Sequence, residues 1–541
     1  MKPLGFIFFS CLFFSAFCLF AVPLDMILVG DPVLEDLRYL SLESGKSILS
    51  FTPPLAPTEV EQFLDSLDVS KFSTPALEAY GRARKALIPE APLALSGDVF
   101  SMSLNINAAL EARARLNSDI SWYPEYPKIA PVLSLPFNFY FADSLQLHFE
   151  PIIAADPEYY ANAETIGVNV PWQLEYVDLN MPLRAFIAAG GSWWNFQLGR
   201  DRISYGTGHM GNLSISDNPA FYEFARLSFF SDFFKYSVLV NQMPLEIKES
   251  NDVKYDEHKN YLERTTQRHF YLHRLDLSPF NALSIGLMEG LMVGNSAPEI
   301  RYLNPFVIFH NFYSSWDYGK EVGDMTGSFF SVEANWNIFR SMAVYGQFAM
   351  NQLITKYKAE HWPDQPPNGL AFLAGTRFSR SFVSWGSVFF VEFIYTDPYA
   401  YMSPSPFSSF IQMRRLSVNN NNTLLYYIAY PRDAIALTMG TKFFKGDTLS
   451  ISGEFSWIAR GEHNKNGIIW DWEQTVDSFN EKTPTGVVEN KFIAFLEAQW
   501  KLYPFLVLKG GVTGIFSRNN GHIPGSDETG GQALFSVNFL Y

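Results

Sequence analysis

The chain has 541 residues, and Lys+Arg 40 against Asp+Glu 55 gives a formal net charge of −15. A pI near 5.1 excludes the basic stripe of a nucleic-acid binder. With 48% hydrophobic, 16% aromatic and only 18% charged residues the chain is too apolar for disorder, yet past the N-terminus no run approaches the roughly 20 apolar residues of a spanning helix. What remains is a large soluble β protein, or a barrel whose strands each carry one apolar face.

Residues 1–21 read as a secretory signal peptide: Lys2, then an apolar stretch from Leu4 to Val22, with the small Ala21 at the cleavage position. A retained anchor helix is the alternative. Cleavage leaves 541 − 21 = 520 residues and removes both cysteines, Cys11 and Cys18. The mature chain then has no disulfide, zinc-thiolate site or cysteine nucleophile. A protein of this size without cysteine must be held by backbone pairing and packing, a demand that a closed barrel meets.

Residues 22–97 are predicted as a periplasmic helical region. In GDPVLEDLRYLSLESG, Asp31 is the expected N-cap, Pro32 the first helical residue and Gly45 the stop. APTEVEQFLDSL places Thr58 three residues before Glu61, a capping box, with Val60, Phe63, Leu64 and Leu67 on one face. TPALEAYGRARKAL repeats the device with Thr74 and Pro75. Three such helices bury little core alone and must rest on something larger.

From residue 98 to 541 the period changes to two. Phe100, Met102, Leu104, Ile106, Ala108 and Leu110 alternate with polar residues, including Glu111, Arg113 and Arg115 further on. Hairpins with short turns follow, for example Arg184–Ala189 through Gly190-Gly191 into SWWNFQLGR, and Ala434–Phe444 through Lys445-Gly446-Asp447 into LSISGEFSW. Long irregular segments separate the hairpins. Short turns at one end and long loops at the other are the asymmetry of an all-β transmembrane barrel, here of about 18 antiparallel strands. The last segment alternates through Phe535, Val537 and Phe539 to Tyr541, resembling the signal read by the barrel-insertion machinery. Trp336, Trp385, Trp457 and Trp500 lie near strand ends and suit interface girdles. Outer-membrane lipid is the implied partner of the apolar faces, and the outer membrane of a diderm bacterium the implied location.

Catalytic constellations are weak. His209 lies five residues before Ser214 in a loop, but a serine-hydrolase triad has no fixed sequence spacing. Asp471, Glu473 and Asp477 could form a glycosidase pair, but acidic loop residues are usually solvated charge. His269 and His273 do not match an HExxH helix, and no metal or cofactor is expected. The loops instead mix aromatic rings with amides, carboxylates and guanidinium groups, the chemistry that stacks on and hydrogen-bonds to sugars. The segment around residues 201–220 is richest, with Arg200, Arg202, Tyr205, His209, Asn212, Asp217 and Asn218 as candidate ligand-binding residues. Loop 397–433 adds Tyr399, Tyr401, Asn419 to Asn422, Tyr430, Arg432 and Asp433. Glu111, Arg113, Arg115, Asn195 and Gln197 are the expected lumen-facing side chains.

The stretches GDPVLEDLRYLSLESG with PPLAPTEVEQFLDSL, LGRDRISYGTGHMGNLSISDNPAFYEFARLSF and HRLDLSPFNALSIGLMEGL resemble the capsule-assembly Wzi family of outer-membrane barrels. The most specific part runs from Leu198 to Asn218, and the order of helices then barrel also matches. The resemblance implies an eighteen-stranded barrel, a helical bundle against its lower mouth, and a lectin-like, non-catalytic role holding capsular or exopolysaccharide. A porin-like channel for small polar solutes is the competing expectation.

Overall fold

The computed structural model describes residues 24–88, 93–97, 99–117, 120, 129–142, 144–156, 166–178, 181–244, 267–294, 297–309, 326–353, 367–403, 407–415, 423–465 and 481–541. The expected signal peptide, the four successive asparagines and the carboxylates of WDWEQTVD lie outside the described residues.

Three α-helices come first among these residues: α1 (Val33–Ser44), α2 (Pro57–Asp65) and α3 (Thr74–Lys85). Gly45 ends α1 in the left-handed conformation, φ +73°, which lets its amide close on the carbonyls of Leu42 and Ser41. Two caps differ from expectation. The Asp31 carboxylate turns back to the Leu28 amide at 2.6 Å, so Pro32 flanks α1 without a side-chain cap. In α2, Pro57 presets the first turn two residues early, so Glu59 rather than Glu61 reaches back, to the Ala56 amide at 3.1 Å. Thr58 is thereby free to donate to the Gly191 carbonyl at 3.2 Å. Leu34, Leu37, Leu40, Val60, Leu64 and Ala79 share one buried cluster, joined by Phe444 from the sheet.

The rest is antiparallel sheet. Twenty-five strands are present among the described residues, 23 of them in one sheet, rather than the 18 expected. Part of the excess has a covalent cause. Pro136 and Pro151 supply no amide, and they split 133–141 and 145–153 into Leu133–Ser134 with Phe137–Phe141 and Leu145–Glu150 with Ile152–Ile153. Asn105 and Ile106 likewise interrupt the zigzag between Phe100–Leu104 and Asn107–Leu116. Pairing continues across the breaks, with Asn105 donating to Pro136 at 3.1 Å and Leu135 to Pro151 at 3.0 Å. Leu93–Ser96, within the region expected to be helical, adds a strand beside Phe100–Leu104. Ile411–Arg415 and Thr423–Tyr427 form a separate hairpin.

From Arg184–Gly190 onward each long strand pairs with the next, ending at Glu528–Leu540. That last strand pairs with Asn107–Leu116, from Gly531↔Leu116 to Leu540↔Asn107. The two faces differ as period two requires. One face buries Arg226, Ser228, Lys235, Ser237, Asn241 and Glu392. The other exposes Leu110, Leu287, Phe372, Phe393, Leu496 and Val512. Trp336 and Trp500 stand exposed near the short-turn end.

The helices lie against those short turns. Ser341 donates to Leu42 at 2.7 Å, Ser47 to Asn281 at 2.8 Å, and Arg340 Nε to the Glu43 carbonyl at 2.9 Å. Tyr39 meets Phe444 edge-on at 4.9 Å.

Candidate functional site

The site grows from a segment that climbs between α1 and α2. Buried Arg226 donates to the carbonyls of Thr52 (3.2 Å) and Pro54 (2.6 Å). Buried Lys235 reaches Glu59 at 2.5 Å. A guanidinium and an ammonium are tolerated here because each is bonded. Beside them Arg274 bridges Asp276 at 2.7 Å and Glu333 at 3.0 Å.

The loop between Trp194–Asp201 and Tyr222–Phe230 folds inward onto this segment. Ser204 donates to Pro53 at 3.1 Å and Gly206 to Phe51 at 2.9 Å. Its tip is held by the wall. The Glu392 carboxylate accepts the amides of His209 (2.7 Å) and Met210 (2.8 Å) and the Tyr345 hydroxyl (2.8 Å). Gln347 accepts the Leu213 amide at 2.8 Å and donates to Asn212 Oδ1 at 2.8 Å. Arg377 donates to the Thr207 carbonyl. His209 Nε2 lies 2.8 Å from Glu454 Oε2.

A third layer covers the loop. Tyr430 donates its amide to the Asn212 carbonyl at 2.9 Å, and Tyr401 its hydroxyl to Leu213 at 3.1 Å. Arg268, fully buried, donates to the carbonyls of Ser409 and Ile411, and Arg432 to those of Pro398 and His463. Ile203, Tyr205, Leu213, Phe329, Tyr401 and Tyr430 belong to one hydrophobic cluster that spans these layers. A cavity of about 30 Å³ lies between α1 and the loop, lined by Arg38, Thr207, Arg274, Glu333 and Arg377. That is room for water and not for a sugar.

The candidate residues divide. Tyr205 and Asn212 are fully buried and serve the loop's own packing. Arg202 and Asp217 form an ion pair, each side chain about a quarter exposed or less (20% and 25%). His209 is exposed, and Asn218 donates to the Ala429 carbonyl at 2.8 Å. Arg200 stands apart, on the face of exposed Leu198, bonded to Glu223 and lying 3.9 Å over the Phe221 ring. Ser214 donates to the Tyr205 carbonyl at 3.3 Å while His209 meets Glu454, so these two are not joined as nucleophile and base.

Glu111, Arg113, Arg115, Asn195 and Gln197 all lie on the inward face, opposite Leu110, Leu116 and Leu198. Asn195 bonds Glu59 at 3.0 Å, Gln197 bonds Asp201 at 2.9 Å, and Arg115 bonds Gln532 at 2.9 Å. On that side Lys509 and Glu497 pair at 2.8 Å and stay partly exposed. No group of three or more metal-binding side chains occurs among the described residues. Sequence reasoning missed Glu392, Gln347 and Arg377. Their one signal was a polar residue on the inward face of an aromatic strand, as in FFVEFIY.

No family model and no curated protein matches this chain. Among solved structures it is similar to Wzi of Escherichia coli, an outer-membrane protein involved in group 1 capsule assembly and a carbohydrate-binding β-barrel. The TM-score is 0.58 at 13% identity, over 94% of this chain and 98% of that one. It is also similar to OccD3 of Pseudomonas aeruginosa, with TM-score 0.41 and 10% identity over 84% and 93%. At such identity the likeness to Wzi speaks for the fold alone. The fold is that of an outer-membrane β-barrel, and the protein is placed in the outer membrane of a Gram-negative bacterium.

Proposed function

We propose that this protein is a closed barrel of eighteen staves that binds or organises an exported surface polysaccharide without catalysing its turnover. The stave count follows if the two proline-split pairs and the pair Phe100–Leu104 with Asn107–Leu116 each count once, and the short strands Leu93–Ser96 and Ile166–Val168 and the separate two-stranded hairpin are left out. The observation that carries the functional reading is the occupation of the lumen by the chain itself: the segment at Phe51–Pro54, the loop at Gly206–Leu213 and the layer at Tyr401 and Tyr430 are stacked and mutually bonded. A diffusive pore has no use for three layers of its own chain across its path. A non-enzymatic glycan scaffold does, because it needs rigid polar groups presented at fixed spacing. The carbohydrate-binding character of Wzi, which shares the fold, supports this reading. Signal-peptide export and insertion through the C-terminal strand ending at Tyr541 belong to the same proposal.

Of the seven loop candidates, Arg202, His209, Asp217 and Asn218 keep exposed surface and are assigned to glycan contact, while Tyr205 and Asn212 hold the loop in place and Arg200, on the outward face, is left out of the site. The test is retention of the purified barrel on the host's own surface polysaccharide. His209→Ala and Asn218→Ala should weaken retention while heat-modifiable gel migration stays unchanged. Binding that is absent, or indifferent to both changes, overturns the proposal.

A channel reading rests on a different observation, the partly exposed Glu497–Lys509 pair on the inward face. Planar-bilayer recording separates the two: stepwise conductance of the unmodified protein without glycan binding favours the channel.

A further inference from the structure

Residues 297–309 follow the strand Leu283–Gly294 at its long-loop end, yet they do not stay there. Tyr271, Leu291 and Val293 alternate with the inward Phe270, Leu272 and Met292, so they face away from the lumen. On that outward face they form a cluster with Tyr302 and Phe309, and Val240 and Val307 pack against it. The Tyr302 ring lies 5.0 Å from that of Tyr271, and the Phe309 ring stacks on His273 at 4.2 Å. Glu299 donates its amide to the Tyr271 hydroxyl at 2.9 Å. Tyr236, two positions into its strand from the short-turn end, donates its hydroxyl to the Pro305 carbonyl at 2.7 Å. The segment therefore descends along the outside of the wall over much of the strand length.

The wall beneath explains why it must be covered. His273 and Glu289 are direct cross-strand partners on the outward face, with Tyr236 close by. Imidazole and carboxylate groups facing hydrocarbon are costly. The covering segment is built to replace them. Four of its amides are satisfied within the segment: Tyr302 to Glu299 (3.2 Å), Asn304 to Arg301 (3.3 Å), Val307 to Asn304 (3.2 Å) and Phe306 to Asn304 Oδ1 (3.1 Å). Outward it presents Leu303, Ile308 and Phe306, the last 92% exposed.

We propose that residues 297–309 form an exterior flap whose outer surface is covered by the acyl chains of the membrane, turning a polar patch of the barrel wall into a lipid-compatible one. The occupant is lipid because the most exposed large side chains of the flap, Phe306, Ile308 and Leu303, are apolar and continue the apolar outward face of the same strands, where Leu275 and Leu287 lie; of its polar groups, Glu299 and Arg301 pair with each other and Asn304 accepts the Phe306 amide. The proposal rests on the membrane-embedded reading of the barrel.

The test uses the whole protein in lipid vesicles with an environment-sensitive thiol-reactive fluorophore on Phe306→Cys, the sole thiol once the signal peptide is removed. Leu287→Cys serves as wall control and Asp527→Cys as water control. With brominated acyl chains, Phe306→Cys should lose emission as Leu287→Cys does, while aqueous iodide quenches only Asp527→Cys. If Leu287→Cys is quenched by lipid and Phe306→Cys by iodide, the flap proposal falls and the barrel reading stands. If Leu287→Cys is itself quenched by iodide, the membrane reading fails first. Protection of Phe306→Cys from both quenchers, with thiol cross-linking into dimers, would assign this face to a second copy and overturn the proposal.

Discussion

The Gly206 amide donates to the Phe51 carbonyl at 2.9 Å, joining a loop that enters from the long-loop rim to a segment that rises from the helices. The two halves of the lumen filling meet at this bond, and Gly206 makes it in a conformation, φ +126°, that side chains rarely adopt. A Cβ there would lie 2.1 Å from Gln347 Nε2 and 2.5 Å from Asn212 Oδ1. Gly206→Val is expected to push the loop from its seat, at a cost of about 2–3 kcal/mol. Planar-bilayer conductance should rise above that of the unmodified protein. Unchanged conductance would show that the loop does not occlude the lumen.

Glu392 gathers three donors, from His209, Met210 and Tyr345. Glu392→Ala orphans them, and each buried donor left unpaired costs about 1–3 kcal/mol. Glu392→Gln keeps one acceptor oxygen and should lose less. Urea midpoints are expected in the order unmodified, Gln, Ala. An Ala variant as stable as the unmodified protein would contradict the role given to this carboxylate.

Arg226 ties the wall to the rising segment through Thr52 and Pro54. Arg226→Met preserves volume but removes the donors. The helical region, residues 33–85, should become sensitive to protease while the sheet keeps its heat-modifiable migration. Equal protease protection in both proteins would show that the short turns alone hold the helices.

The start of the described chain carries a pH dependence. Burial raises Asp25 from 3.8 to about 6, against the opposing hydrogen bond of Tyr140. Burial likewise raises Asp31 from 3.8 to about 6, against the Leu28 amide and Arg184. Between those values the folded protein binds more protons than the unfolded chain. Stability from these groups therefore falls as pH rises from 3.8 to about 6, and stays at its lower level above. Asp25→Asn keeps an acceptor for Gln146 and removes the charge that burial penalises. It should stabilise the protein at pH values well above that window, by on the order of 2–3 kcal/mol. In acid below the window the difference should vanish. Unfolding midpoints at the two extremes check this, and an Asn variant no more stable in the alkaline arm would refute it.

Much of the wall was legible in the sequence because period-two alternation and short turns are local signals. Phe100 to Leu110 and the hairpin at Gly190-Gly191 could be read residue by residue. What the sequence hid was pairing at a distance. Glu392 looks like any inward polar residue until His209, 183 positions earlier, is found on it. Tyr205 and Asn212 read as ligand groups because their polar atoms were visible and their burial was not. His273 and Glu289 interrupt an outward face that should be apolar, and that irregularity acquires a cause only when the segment around Phe306 is laid over it. Pro136 and Pro151 were visible, but their effect on how strands divide depends on pairing that alternation does not encode.

The strand Glu528–Leu540 zips onto Asn107–Leu116, and one contact of that seam, Arg115 to Gln532, joins positions 417 apart. No such join can begin before residues 528–540 have been synthesised and delivered. Until then two unpaired edges stand open, each a template for the wrong neighbour. While those edges stay apart the barrel is unsealed, and its interior parts have an open side through which to be gathered in.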